Sequence, residues 1–339
     1  MMILAKRFSH LTLAVFTALS GVSCVANSSI ESTTGENTAV VEEQDELEVV
    51  TTFLPMTQFT KAVVGDRAEV VQLLPINVGP HDYQAKPADV QAIAQADILV
   101  KNGLELESYL DNMIKNAENS DLIIVDSSAG IEPLRFAEKD HDHDHDHDHD
   151  HDHEDGDHED EHSHDHGEFD PHIWLDPKRA IQQVENIRDG LISVDPEGQE
   201  IYTQNAAAFI EELKALDAQT TEKLQPYAGQ TLITFHDFAA YFAQSYGLRS
   251  EFLVDIPEEN PSPEDMRRLI EIVQAEQIKA LLQEPGVETK AFETLAEDLK
   301  IKVSIFDPIA IGETSSSEPT VYLRRMEENV TNLVEALSD

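Results

Sequence analysis

Fifteen histidines occur among the 339 residues, and their distribution separates two kinds of chemistry. Eleven of them (His141, His143, His145, His147, His149, His151, His153, His158, His162, His164 and His166) are interleaved with carboxylates in one tract, leaving only His10, His81, His172 and His236 elsewhere. Neutral imidazoles are good ligands for borderline transition metals such as zinc, and the carboxylates between them gather cations generally. Aspartate alone would serve a solubilising insert; the alternating His adds a coordinating group, so the tract reads as an accessory metal-capture element. From Asp140 to Asp170 it has no Lys or Arg and almost nothing apolar, so it cannot bury a core, and residues 140–168 are expected to form a disordered loop.

One match inside the tract imitates an enzyme. His158-Glu159-Asp160-Glu161-His162 satisfies both HExxH and the inverted HxxEH. A zinc hydrolase needs those two His on one face of a buried amphipathic helix, with the Glu aimed at a metal-bound water. The flanks here are Gly-Asp and Ser-His-Asp-His, and so biased a composition produces such matches by chance. No GxSxG, P-loop, helix-opening GxGxxG or cysteine nucleophile supports catalysis elsewhere, and the chain is not expected to be an enzyme.

The isolated histidines are more pointed. His81 follows the apolar run VVQLL in a Pro/Gly-punctuated loop, His172 stands in FDPHIWLDP just after the tract, and His236 closes TLITF. Each lies where a strand meets a loop or helix, and open α/β sheets bind ligands at the carboxyl ends of their strands. Any one of them alone reads as a hydrogen-bonded structural His. Together, in a chain with a His-rich tract, they read as three donors of a tetrahedral zinc site. Asp307, at the end of KVSIFD, is the candidate carboxylate, or alternatively a turn cap before Pro308.

The elements that must position them form two series. VVTTF (49–53), VVQLL (70–74), DILVKNG (97–103) and LIIVDS (122–127) read as buried strands, with helical periods at 88–96 and 107–117. TLITF (231–235), EFLVDI (251–256), IKALLQE (278–284) and KVSIFD (302–307) form a second set, with helical segments between them. Between the two series, Pro177 to Ser193 and Pro196 to about Leu224 both open with Asp-Pro, an N-cap followed by proline at the first helical position. The class is therefore α/β: two (βα) lobes, residues 47–176 and 227–339, joined by linking helices over 177–226, the second long enough to act as a spine.

These residues also carry a likeness. GPHDYQAKPADVQAIAQADILVKNGLELE, DPHIWLDP, FHDFAAYFAQSYGL and FDPIA, in this order and at these separations, resemble the metal-binding solute receptors of bacterial ABC importers, specifically those of the zinc-uptake ZnuA type. The resemblance runs from about Glu48 to the C-terminus. It implies a long rigid helix joining the lobes and a metal in the cleft between them, His81 and His172 coming from the first lobe, His236 and Asp307 from the second. It implies Zn(II) as the transported ligand, with Asp307 or a water as fourth ligand, and an ABC permease with its cytoplasmic ATPase as partners. Manganese-type relatives usually have Glu at the place of His236, and three nitrogen donors favour zinc. Some relatives carry Glu just before the first His; here it is Pro80, so no role of that Glu transfers. Alternatives of another class are an extracytoplasmic zinc buffer that meets no transporter and a surface adhesin, although no adhesive repeat is present.

Composition and the first residues address location. Lys6 and Arg7 precede a short apolar run, Leu11 to Leu19, and small residues lead to Cys24, so 1–23 reads as a signal peptide. Cys24, the only cysteine, reads as the acylated first residue of a mature lipoprotein, although Gly21 stands where a larger apolar residue is usual; the alternative is plain secretion. Residues 24–46 are Ser/Thr/Glu-rich and read as a flexible spacer holding a monomeric body off the membrane. A net charge of −44 repels phosphate backbones, which argues against nucleic acid and favours cationic partners.

Overall fold

The computed structural model describes residues 47–135, 168–254, 261–276, 278–286 and 290–338. Cys24, the eleven tract histidines and the HExxH match lie outside the described residues.

Short β-branched runs make the strands. The first lobe has β1 (Val49–Thr51), β2 (Val70–Gln72), β3 (Ile98–Lys101) and β4 (Ile123–Asp126). The second has β5 (Thr231–His236), β6 (Arg249–Val254), β7 (Ala280–Gln283) and β8 (Lys302–Ile305). The orders are β2-β1-β3-β4 and β6-β5-β7-β8, all pairs parallel, so one topology occurs twice. The central β1, β3, β5 and β7 are buried, whereas the edge strands β2, β4 and β8 leave Val71, Ile123, Ile124, Val303 and Ile305 exposed, so VVQLL and LIIVDS are not the buried strands expected. Parallel neighbours need crossovers. They contain α1 (Leu54–Val64), α2 (Pro87–Gln95) and α3 (Leu110–Ala117) in the first lobe, and α6 (Ala240–Ser245), α7 (Pro263–Glu276) and α8 (Lys290–Leu299) in the second. In each sheet the strand order reverses beside its first strand, at β1/β3 and at β5/β7, where a crevice opens at the carboxyl ends.

Between the lobes run α4 (Pro177–Val194) and α5 (Gln199–Leu224). Asp176 caps α4, accepting the Lys178 N–H at 3.2 Å. The spine expected from Pro196 starts as a single 3-10 turn, Pro196–Gly198, capped by Asp195; the α-helix proper has 26 residues, about 39 Å at 1.5 Å per residue. The sequence reading passed over two helices. In α1, nine of 11 residues are buried, the polar Thr57, Gln58 and Thr60 among them, so its polar side is not its solvent side. The other, α9 (Pro319–Leu337), buries Tyr322, Met326, Val330, Leu333 and Leu337, a clear helical spacing, against α5 and α1. No described helix is long and apolar enough to cross a membrane.

One apolar core runs from the first sheet through α4 and α5 to Phe238, Phe242, Phe306 and Tyr322 of the second lobe. A second, smaller core under α7 and α8 contains Ile233, Leu253, Leu281, Phe292 and Leu295.

Candidate metal centre

His81 sits in the loop leaving β2, within the one-turn 3-10 segment Pro80–Asp82. The loop is anchored on both sides. Buried Tyr83 donates its hydroxyl to Asp89, which also accepts the Lys86 N–H at 2.7 Å and so caps the start of α2. On the other side, Gly312 N donates to Ile76 O at 2.7 Å, tying the loop to the second lobe. His81 itself is exposed.

His172 is held far more tightly. Asp170 Oδ1 accepts the His172 backbone N–H at 2.9 Å and lies 2.7 Å from Nδ1 of the same ring. Asn102, at the end of β3, donates its side-chain amide to Pro171 O at 2.9 Å, and the Tyr241 hydroxyl donates to Asp170 O at 2.7 Å. The ring is buried, 5.1 Å centroid to centroid from Trp174, whose indole N–H donates to Pro308 O across the lobes at 2.8 Å.

His236 is the last residue of β5, paired in register with Val254. Its Nδ1 lies 2.6 Å from Glu284 Oε1, at the carboxyl end of β7, and its ring packs on Phe238 at 4.9 Å.

The three rings converge. One ligand atom from each of His81, His172 and His236 falls within 4.8 Å of the others, and the Nε2 atoms of His81 and His172 are 3.3 Å apart. Four donors about 2.05 Å from a tetrahedral ion stand about 3.3 Å from one another, so this pair is already spaced as an edge of that polyhedron. Burial, and secondarily the neighbouring His236, holds His172 well below the ordinary imidazole value, which keeps its lone pair available at neutral pH. Burial pushes Asp170 up to about 7, partly offset by the His172 N–H.

Asp307 stands apart from this cluster. Its Oδ1 accepts the Ile309 N–H at 2.7 Å and its Oδ2 lies 3.1 Å from Arg325 Nη1, so here the carboxylate caps the turn after β8 and pairs with an arginine. Burial raises its pKa, and the Arg325 charge opposes that rise. The sequence reading missed Glu284, although the signal that singled out Asp307, a carboxylate closing a strand, applies equally to LLQE. Asp170, in the same DPH turn as a chosen histidine, was also passed over.

Two parallel α/β lobes on a long helix, with three imidazoles from both lobes converging, define a two-lobed metal-binding receptor; His236 ends β5 as expected, whereas His81 stands in a 3-10 turn well past β2 and His172 in the turn before α4, neither at a strand end. The chain belongs to the ZnuA family: the model of that family, described as zinc-uptake complex component A, periplasmic, matches residues 49–336. The high-affinity zinc uptake system protein ZnuA of Bacillus subtilis (strain 168) is 30% identical over 295 residues, covering 86% of this chain and 88% of that protein. A manganese-binding lipoprotein, MntA of Halalkalibacterium halodurans, is 28% identical over 308 residues, 89% of this chain and 92% of its own length. Among solved structures, a zinc-bound ZnuA deletion mutant superposes with a TM-score of 0.70 at 26% identity, covering 87% of this chain and 99% of that one. Members of the family are metal-binding receptors of ABC importers and not enzymes, and this chain is an extracytoplasmic receptor of that kind.

Proposed function

We propose that the receptor takes Zn(II) as its cargo and delivers it to an ABC permease driven by a cytoplasmic ATPase. His81, His172 and His236 supply three neutral nitrogens, and Asp307 or a water completes the shell. The observation that carries this reading is the convergence of three imidazoles with one Nε2 pair 3.3 Å apart. A nitrogen-rich set suits zinc, whereas manganese prefers more oxygen. Manganese is the second reading, favoured by the manganese-binding relative. Cargo capture needs no chemical step: the ion exchanges water for protein donors, and protons compete for the same lone pairs, so acidification releases it. The tract 140–168 acts as an accessory that binds further ions more weakly and raises their concentration near the cleft. Acylated Cys24 anchors a monomer to a membrane.

The test is calorimetric titration of metal-free protein lacking residues 140–168 with Zn(II) and with Mn(II) at neutral pH. One tight zinc site, much weaker manganese binding, and a change in the fluorescence of Trp174, the only tryptophan, are expected. The triple His81/His172/His236→Ala variant should lose all three signals. Tight zinc binding that survives the triple substitution, or a preference for manganese, overturns the assignment.

A further inference from the structure

Resting on the reading of His236 as a zinc donor, we propose that Glu284 is the positioning residue that fixes this ring as an Nε2 ligand. A neutral imidazole carries one ring proton, and an ionised carboxylate only accepts. With Glu284 Oε1 2.6 Å from Nδ1, the proton sits on Nδ1 and the lone pair of Nε2 is presented away from Glu284. Carboxylates that grip the far nitrogen of a metal-binding His are a general means of setting tautomer, orientation and basicity.

The first lobe places a carboxylate against Nδ1 in the same way. Asp170 Oδ1 is 2.7 Å from Nδ1 of His172, while Nε2 of that ring is the atom that meets Nε2 of His81 at 3.3 Å. The two lobes thus each provide a His–carboxylate pair, built differently. Asp170 is two residues from its ring, is also caught by the His172 N–H, and its side chain is 1% exposed. Glu284 reaches its ring from a neighbouring strand and is 14% exposed. Topology accounts for the meeting: β5 and β7 pair with Thr234 opposite Leu282, and two residues further along each chain stand His236 and Glu284, one on either side of the crevice where strand order reverses. Glu284 is not among the groups that converge within 4.8 Å, so its place is behind the donor and not among the donors.

The experiment uses the full chain. In the metal-free protein at neutral pH, the tautomer of His236 is read from nitrogen-15 NMR of the imidazoles, the signal being assigned by its loss in His236→Gln. Wild type and Glu284→Gln should show Nδ1–H, because the Gln carbonyl still accepts; Glu284→Ala should show a mixture of tautomers. Should the Ala variant fail to fold, Glu284→Leu fills the space without an acceptor. Competition for one equivalent of zinc against a chromophoric chelator should show affinity about 10- to 100-fold weaker in the Ala or Leu variant and a smaller loss in the Gln variant. The absorption of bound Co(II) should keep its tetrahedral form in Glu284→Gln. An Nδ1–H tautomer that persists without Glu284, a Gln variant as damaged as Ala, or a changed cobalt coordination in Glu284→Gln would each overturn the proposal, the last by making Glu284 a ligand. The tautomer is measured without metal, so it stands or falls separately from the zinc assignment.

Discussion

In the first lobe the crevice between β1 and β3 is closed over a carboxylate of its own. Glu107 is buried there, accepting Thr52 Oγ1 at 2.9 Å, Asn102 N at 2.7 Å and Gly103 N at 3.1 Å. The equivalent crevice of the second lobe, between β5 and β7, instead carries His236 and Glu284. One topology therefore serves two ends. In the first lobe the switch point is scaffold: Glu107 holds Asn102, Asn102 holds Pro171, and the proposed donors His81 and His172 come from loops beside it. In the second the switch point itself carries a proposed donor, His236. Packing follows the same division, since the first lobe shares the continuous core with α4 and α5, while the outer layer of the second is covered by a small core of its own.

The largest expected effect breaks that comparison at the cores. Phe59 packs edge-on against Tyr322 at 4.8 Å within the shared core, and Phe292 packs on Phe235 at 6.0 Å within the small one. Both are fully buried, and either Phe→Ala change should cost about 3–5 kcal/mol. They should differ in kind. Calorimetric melting of Phe59→Ala should show one transition moved down, whereas Phe292→Ala should split off an early transition of the second lobe that takes zinc affinity with it. A single shared transition in both variants would mean that the two cores unfold as one.

A smaller effect tests the seam between the first lobe and the spine. Arg67, just beyond α1, donates Nη2–H to Asp195 Oδ1 at 2.7 Å, and Tyr202 donates to Oδ2 at 2.6 Å. The Arg67 hydrogen bond, reinforced by Tyr202 against the cost of burial, holds Asp195 down to about 2. The folded value lies below the ordinary 3.8, so the stabilisation is fully present above about pH 4 and is lost as pH falls through about 2. Discounted for solvent screening it amounts to about 1–2 kcal/mol. Asp195→Asn should lower denaturant stability by that amount at pH 7, converge with wild type near pH 2, and leave zinc affinity unchanged.

How much of this was legible in the sequence depended on whether a residue's partner was local. The strands were plain because β-branched runs between turn signals have few other uses, and His236 was marked by its place at a strand end, whereas His81 and His172 stand in loops beyond the strands. The carboxylate partners of His172 and His236 were not plain. Glu284 reaches His236 across a strand pairing, and no spacing along the chain encodes which strands become neighbours. Asp170 was close enough in sequence to read, yet its role appears only once the turn folds its Oδ1 onto the backbone N–H and Nδ1 of His172. The 3-10 first turn at Pro196–Gly198 was hidden because the Asp-Pro signal marks where a helix opens and not which kind of turn opens it.

Asp307 offers the smallest effect and the finest distinction between the lobes. It ends the second series as His236 ends β5, yet its carboxylate is engaged by Arg325 and by the Ile309 N–H. Asparagine keeps an acceptor for Ile309 and gives up only the charge facing Arg325. If a water completes the shell around zinc, Asp307→Asn should weaken binding less than tenfold, under about 1.4 kcal/mol, in the same calorimetric titration, well short of any single His→Ala change. A hundredfold loss would show instead that Asp307 leaves Arg325 when metal arrives. The second lobe would then contribute one donor fixed at its switch point and another recruited from a turn, and replacing Arg325 with Met should tighten zinc binding by freeing that carboxylate in advance.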